Sequence, residues 1–221
     1  GALRIAFTSL APNGAKVEAE SLRVLAEVAK LCGDLGHQVA EADPAIDRAA
    51  VVPTFLTFAA ANTVVNLASH PTKGRSAQAT EVETVTWATA KLGEKLSGAD
   101  YVRATQAAHR LGRQMAAFHA DWDVLLTPGL ATAPAKLGWI DMMMGDVDEY
   151  WRRVFAFSPF TVWFNLTGQP AMMLPIGRSP EGLPIAVQIV GRYGDEATLF
   201  RLAAQLEAAR PWFERKPALA S

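Results

Sequence analysis

One cysteine stands among 221 residues, so no intrachain disulfide can form. Cys32 falls on the apolar side of an expected helix, where a buried, inert thiol is the expectation rather than a nucleophile. Scarce cysteine fits a cytoplasmic protein. A basic excess is missing too. Lys and Arg number 21 against 22 Asp and Glu, the signs are interspersed, and the formal net charge is −1, which leaves no stripe to displace counterions from a nucleic-acid backbone. No run of ~18 apolar residues is expected to cross a bilayer, and no charged segment leads into an apolar signal core. Nucleic-acid and membrane functions are therefore set aside.

The motifs of self-contained active sites are also lacking. There is no G-x-S-x-G, P-loop, G-x-G-x-x-G or H-E-x-x-H pattern, and the eight serines lie outside any glycine-rich cluster that could aim amides at an oxyanion. His37, His70, His109 and His119 are scattered; His109 and His119 lie ten apart on one expected helix, which is no metal-ligand spacing. No metal site is expected. Glu18 with Glu20 and Asp146 with Asp148 read as solvated acids, and Lys91 with Lys95 complement a helix C-terminus. No repeat or low-complexity linker divides residues 1–221, which read as a single α/β unit, a mixed β-sheet flanked by helices.

Half of the chain is hydrophobic and 19% is charged, enough to bury roughly 70% of the unfolded surface. Leu3 to Thr8 reads as a buried strand. Leu22, Leu25, Val28, Ala29, Cys32 and Leu35 then give a helix stopped by Gly36, and Gln38 to Ala42 a returning strand, together a βαβ unit. Ala45 to Ser69 predicts a mostly buried helix whose start is blurred by Pro53, and Lys73 to Ala79 a polar connection. Thr80 with Glu83, and Ser97 with Asp100, form capping-box patterns ahead of two helices, the second running to about Ala120. Asp123 to Thr127 reads as a strand, Gly129 to Asp148 as a long loop, and Trp151, Phe155 and Phe157 as a helix from near Asp148. Ala171 to Ile176 and Ile185 to Val190 predict a hairpin, and Gly194 with Asp195 open a last helix ending near Pro211.

Between them, Asn165, Thr167, Gly168, Gln169 and Pro170 crowd amides, a hydroxyl and a glycine before an apolar strand. They allow two readings: a strand-entry turn with Gly168 at positive φ, or a loop that contacts a ligand.

Five ordered segments carry a resemblance. NLTGQPAMMLPIG at 165–177, GLPIAVQIVGR at 182–192, GDEATLFRLAAQLE at 194–207, DVLLTP at 123–128 and LRIAF at 3–7 resemble the C-terminal part of the amidase-signature enzymes. The resemblance implies that family's fold, hydrolysis of a carbon–nitrogen amide bond by a Ser-cisSer-Lys triad, a small-molecule amide substrate, and no metal or organic cofactor. The triad and its glycine- and serine-rich loop have no counterpart in this chain. Together with the start at Gly1, this reads as a truncated chain, inactive alone, that lacks an N-terminal half carrying the triad.

By position in the family, Ser158, Thr161, Asn165 and Gln169 are candidates for one wall of the substrate cleft; each can instead only satisfy backbone groups. Where the glutamine-hydrolysing subunit of tRNA amidotransferases tends to carry an aspartate, this sequence has Ser158, with Trp163 and Phe164 nearby. That difference favours a single-chain amidase acting on a less charged amide. The residue stretch 45–96 is least like the family. A stand-alone binding or interaction module derived from an amidase is the other reading. Half of a shared sheet would leave an exposed edge and apolar surface, so homo-oligomers are expected.

Overall fold

The computed structural model describes residues 1–69 and 74–215. Five strands form one sheet in the order β2-β1-β3-β5-β4. Strand β1 (Arg4–Phe7) pairs in parallel with both β2 (Gln38–Glu41) and β3 (Val124–Pro128). β3 then pairs antiparallel with β5 (Pro184–Gly191), whose outer neighbour is its hairpin partner β4 (Ala171–Arg178). The sheet is thus mixed and the βαβ unit and hairpin stand as the sequence predicts. β4 is an edge strand with a register shift between Leu174 and Gly177.

Period-two alternation builds two cores. From β1 and β3, Ile5, Val124 and Leu126 face helices α1 (Ala19–Asp34) and α7 (Glu196–Ala209), meeting Val24, Val28, Cys32, Leu199 and Leu202. Ala6 and Leu125 face the other way, onto α2 (Arg48–Ala68), α4 (Gly98–Asp121), α5 (Val147–Phe157) and α6 (Val162–Thr167). A Cβ at Gly177 would collide with the Val24 side chain, so α1 can lie this close to β4 only over glycine. Cys32 is fully buried and burial alone pushes its thiol up to about 12, which leaves it protonated and inert.

Expectations change at three elements. The box at Thr80 and Glu83 does not form. Gln78 and Glu81 make the reciprocal pair around a short 3-10 turn (Ala79–Glu81), Arg75 holds Glu81 at 2.8 Å, and α3 (Thr84–Gly93) starts after Glu83 without a side-chain cap. By contrast, the Ser97 hydroxyl accepts from the Asp100 N–H at 3.1 Å while the Asp100 carboxylate accepts from the Ser97 N–H at 2.8 Å. Helix α2 is present, but only Val51, Thr54 and Ala60 of it are buried, because α3 and α4 cover it incompletely. It is also the one helix among the described residues long and apolar enough by composition to cross a membrane, against the expectation that no such run exists. The interruptions that hid it, Pro53, Thr54, Thr57, Asn62 and Thr63, are uncharged. The third change is α6, a short helix where a turn was expected. His70 lies outside the described residues; among those described, no cluster of His, Cys, Asp or Glu could hold a metal ion.

The foot of β3 is tied by charge. Asp123 accepts the Arg4 backbone N–H at 2.7 Å and the Arg4 guanidinium at 3.1 Å, and it pairs with Arg192, which also donates to the His119 carbonyl at 3.1 Å. Burial pushes the carboxyl up, but the hydrogen bonds from Arg4 together with the charges of Arg192 and Arg4 outweigh it and hold the group below its ordinary value. Because the folded value is depressed, the stabilisation is complete above the ordinary carboxylate range and is lost as pH falls through the folded value. Both arginines are partly exposed and screened, so Asp123→Asn, which keeps an oxygen to accept the Arg4 N–H but removes the charge, should cost about 1 kcal/mol through the weakened arginine contacts. Urea unfolding at neutral pH should show that loss, and the gap from wild type should close on acidification.

Candidate functional site

The chain leaves β1 for α1 on one face of the sheet and leaves β2 for α2 to α4 on the other, so the carboxyl ends of β1 and β3 part company. In open α/β sheets such a switch point is where a crevice forms. At the end of β1 the buried Thr8 hydroxyl donates to Asp43 at 2.8 Å. Asp43 pairs with Arg48, which donates to the Ala11 carbonyl at 3.2 Å and stacks 5.6 Å above the buried Trp163 ring. Asn13 in the same loop donates to the Phe155 carbonyl at 2.9 Å. Beyond β3, the Ala131 N–H bonds the Phe157 carbonyl at 3.0 Å and the Glu18 N–H bonds the Ala131 carbonyl at 2.8 Å. The end of α5 is therefore fastened to the loops that follow both parallel strands.

Ser158 and Thr161 sit at that corner, half-buried, with their hydroxyls 3.0 Å apart. Each can donate to or accept from a group in the crevice, and each is polar without being charged. The other two candidates are elsewhere. Asn165 is exposed on α6, and its side chain has no partner among the described residues. Gln169 follows Gly168, which caps α6 at φ 77° and has the Tyr193 ring where a side chain would stand. The positive φ foreseen at Gly168 is present. Gln169 is buried, bonded to Thr167, and lies beside Ala171, whose partner Val190 lies opposite Leu125 near the foot of β3. Ser158 and Thr161 thus lie at the N-terminal end of α6, Asn165 within it, and Gln169 at a lower place just past its C-terminal end.

At the lower place, Gln169 shares a cavity of about 570 Å³ with His109, Gly112, Arg113, His119 and Tyr193. The Trp122 carbonyl lies 3.1 Å from His119 Nδ1 and can only accept, so Nδ1 carries the proton and Nε2 has no partner among the described residues. Burial pushes the His119 imidazole below its ordinary pKa, which keeps it neutral.

A family model described as Amidase matches residues 1–200. The chain belongs to the amidase family. Among curated members, a putative amidase AmiB2 of Mycobacterium tuberculosis is 36% identical over 224 residues, a match that takes in 99% of this chain and 46% of the relative. The 6-aminohexanoate-cyclic-dimer hydrolase of Paenarthrobacter ureafaciens is 35% identical over 152 residues, 66% of this chain and 31% of that protein. A solved structure of 6-aminohexanoate cyclic dimer hydrolase complexed with substrate superimposes with a TM-score of 0.90 at 29% identity, covering 100% of this chain and 48% of that one. This amidase-family chain therefore spans about half the length of the relatives it matches.

Thr8, Asn13, Asp43 and Arg48 are polar residues of the crevice that sequence patterns did not single out. Arg48 is the common member: its loss leaves Asp43 half-buried without its cation and frees the loop after β1. Arg48→Met should destabilise the chain by about 2 kcal/mol, and Arg48→Lys should recover only part, since an ammonium cannot bond carboxylate and carbonyl while lying flat on Trp163. Urea midpoints of the three proteins measure both effects.

Proposed function

We propose that this chain is the non-triad half of an amidase. It supplies core and one side of a substrate cleft, while a Ser-cisSer-Lys set on the remainder of a longer protein cleaves the carbon–nitrogen bond. The observation that carries this reading is the superposition of the whole chain on 48% of a cyclic-dimer amide hydrolase at a TM-score of 0.90. The polar, uncharged Ser158–Thr161 pair, with Trp163 and Phe164 buried behind it, supports an uncharged amide at that point of the substrate and a single-chain amidase over a glutamine-hydrolysing subunit. In this reading Ser158, Thr161, Asn165 and Gln169 are the candidates for the substrate-facing wall, no metal or organic cofactor takes part, and the protein is cytoplasmic.

Purified alone, the chain should release no ammonia or amine from simple amides, and no activity should track with it through successive columns. Sequencing the full reading frame completes the test. A Gly- and Ser-rich loop and a lysine encoded upstream support the enzyme, whereas translation starting near Leu3 gives a stand-alone binding module.

The same reading supports self-association of the isolated chain. The edge strand β4 exposes Met173, and Leu137, Met143, Val65 and Phe200 are exposed elsewhere. Light scattering should show dimers or larger species at micromolar concentration. A strict monomer would refute this.

A further inference from the structure

The cavity of about 570 Å³ at the foot of β3 lies at the opposite end of that strand from the polar crevice. Its floor is α4. Ala108, Gly112, Ala116 and Ala120 follow one another at intervals of four, so one stripe of the helix carries nothing longer than a methyl group and the floor is smooth. Leu166 and the Tyr193 ring form the wall, the ring lying so close to Gly168 that a Cβ there would stand 3.1 Å from it. The volume falls within the range of about 300–1,000 Å³ that takes small ligands, and a smooth floor beside an aromatic ring suits a flat apolar body.

Two observations indicate what such a body must carry. The first is charge. No acidic side chain among the described residues lines the cavity, and α4 has none between Asp100 and Asp121. Of the two arginines in the lining, Arg192 is paired with Asp123, whereas Arg113 has no hydrogen bond or ion pair among the described residues. His109 stands one turn before Arg113 on the same face of α4 and is likewise without a partner among them. The rim therefore offers an unpaired guanidinium with a ring N–H beside it and no lining group of opposite sign. One such planar fork matches a carboxylate, which it can hold by two parallel hydrogen bonds.

The second is Gln169, which is only 7% exposed. One end of its amide is bonded to Thr167. The other end has no partner among the described residues and, unlike the sealed Nε2 of His119, is open to the cavity. A buried polar atom in that position is satisfied by whatever fills the space, and an amide serves a donor or an acceptor on the ligand.

We propose that this cavity binds an aromatic carboxylate, with its charge on Arg113 and its ring between the α4 floor and Tyr193. The site goes beyond the amidase reading and does not rest on it.

The test titrates the 221-residue chain with naphthoate, naphthylmethanol, naphthylmethylamine, acetate and inorganic phosphate at fixed ionic strength, following the Gly112, Ala116 and Tyr193 amide resonances by NMR. Naphthoate should bind about two- to fivefold more tightly than the alcohol, with the amine weakest. Acetate and phosphate should not saturate, because the ring supplies most of the affinity. Arg113→Gln should remove the preference for the acid and keep the affinity for the alcohol. Ala116→Leu and Tyr193→Ala, both at exposed positions, should weaken all three aryl ligands several-fold while urea midpoints stay unchanged. A preference for the acid that persists in Arg113→Gln, equal binding of the amine, or resonances moving only on other faces would overturn the proposal. Where the reading frame encodes a longer protein, the titration is repeated on it. Binding retained there supports the site whether or not that protein turns over amides, so the two readings fail separately. Binding lost there means that the remainder of the chain covers the α4 stripe, and it overturns the ligand.

Discussion

The structure hangs on β3. All five of its residues are buried, and it alone is bonded in parallel on one side and antiparallel on the other, so it joins the βαβ half to the hairpin half. A strand buried on both faces must be apolar throughout or satisfy each polar group it carries. β3 does the second: Val124, Leu125 and Leu126 alternate between the two cores, and Thr127 donates to the Pro128 carbonyl at 3.0 Å while accepting from Gln188 of β5 at 3.0 Å. The charged knot at Asp123 fixes where this strand begins. Everything layered on either face inherits its position from there.

That placement explains why the polar crevice lies where it does. With α1 and α7 committed to one face and α2, α4 and α6 to the other, the loops at the carboxyl ends of β1 and β3 have no helix above them and must find partners in each other. Glu18 supplies those bonds to Ala131 and Ala133, Thr8, Asp43 and Arg48 tie the first loop to the segment after β2, and Asn13 and Ala131 fix the end of α5. The Ser158–Thr161 pair is thus carried on a corner braced by both parallel strands, the kind of rigid support that positions groups for a substrate.

Features encoded locally were legible in the sequence. The 3.6-residue period of α1, the Ser97–Asp100 box, the apolar run of β3 and the turn of the β4–β5 hairpin each sit within a few residues, and family membership followed from five such segments in order. Features set by distant partners were not. The apolar composition of α2 says helix, but how far it is buried depends on which helices cover it. Helix α6 spans six residues, less than two turns, without a side-chain cap, and only packing of Trp163 and Phe164 against α4 and α2 makes it worth forming; what could be read was its stop, Gly168. Ser158 and Thr161 were legible only through their place in the family pattern, whereas Thr8 meets Asp43 and Arg48 from a segment 35 residues away with no spacing to mark it.

The edge at β4 has a further consequence. Pro175 can donate no backbone hydrogen bond, and the register slips between Leu174 and Gly177, so the rim is not one continuous template but two short ones. A neighbouring strand can zip along Ala171–Leu174 and must then break and restart, which makes long, sliding, fibre-like additions unfavourable. Only a strand bent to match that interruption would run the whole length, so the edge discriminates by shape before any side chain is consulted.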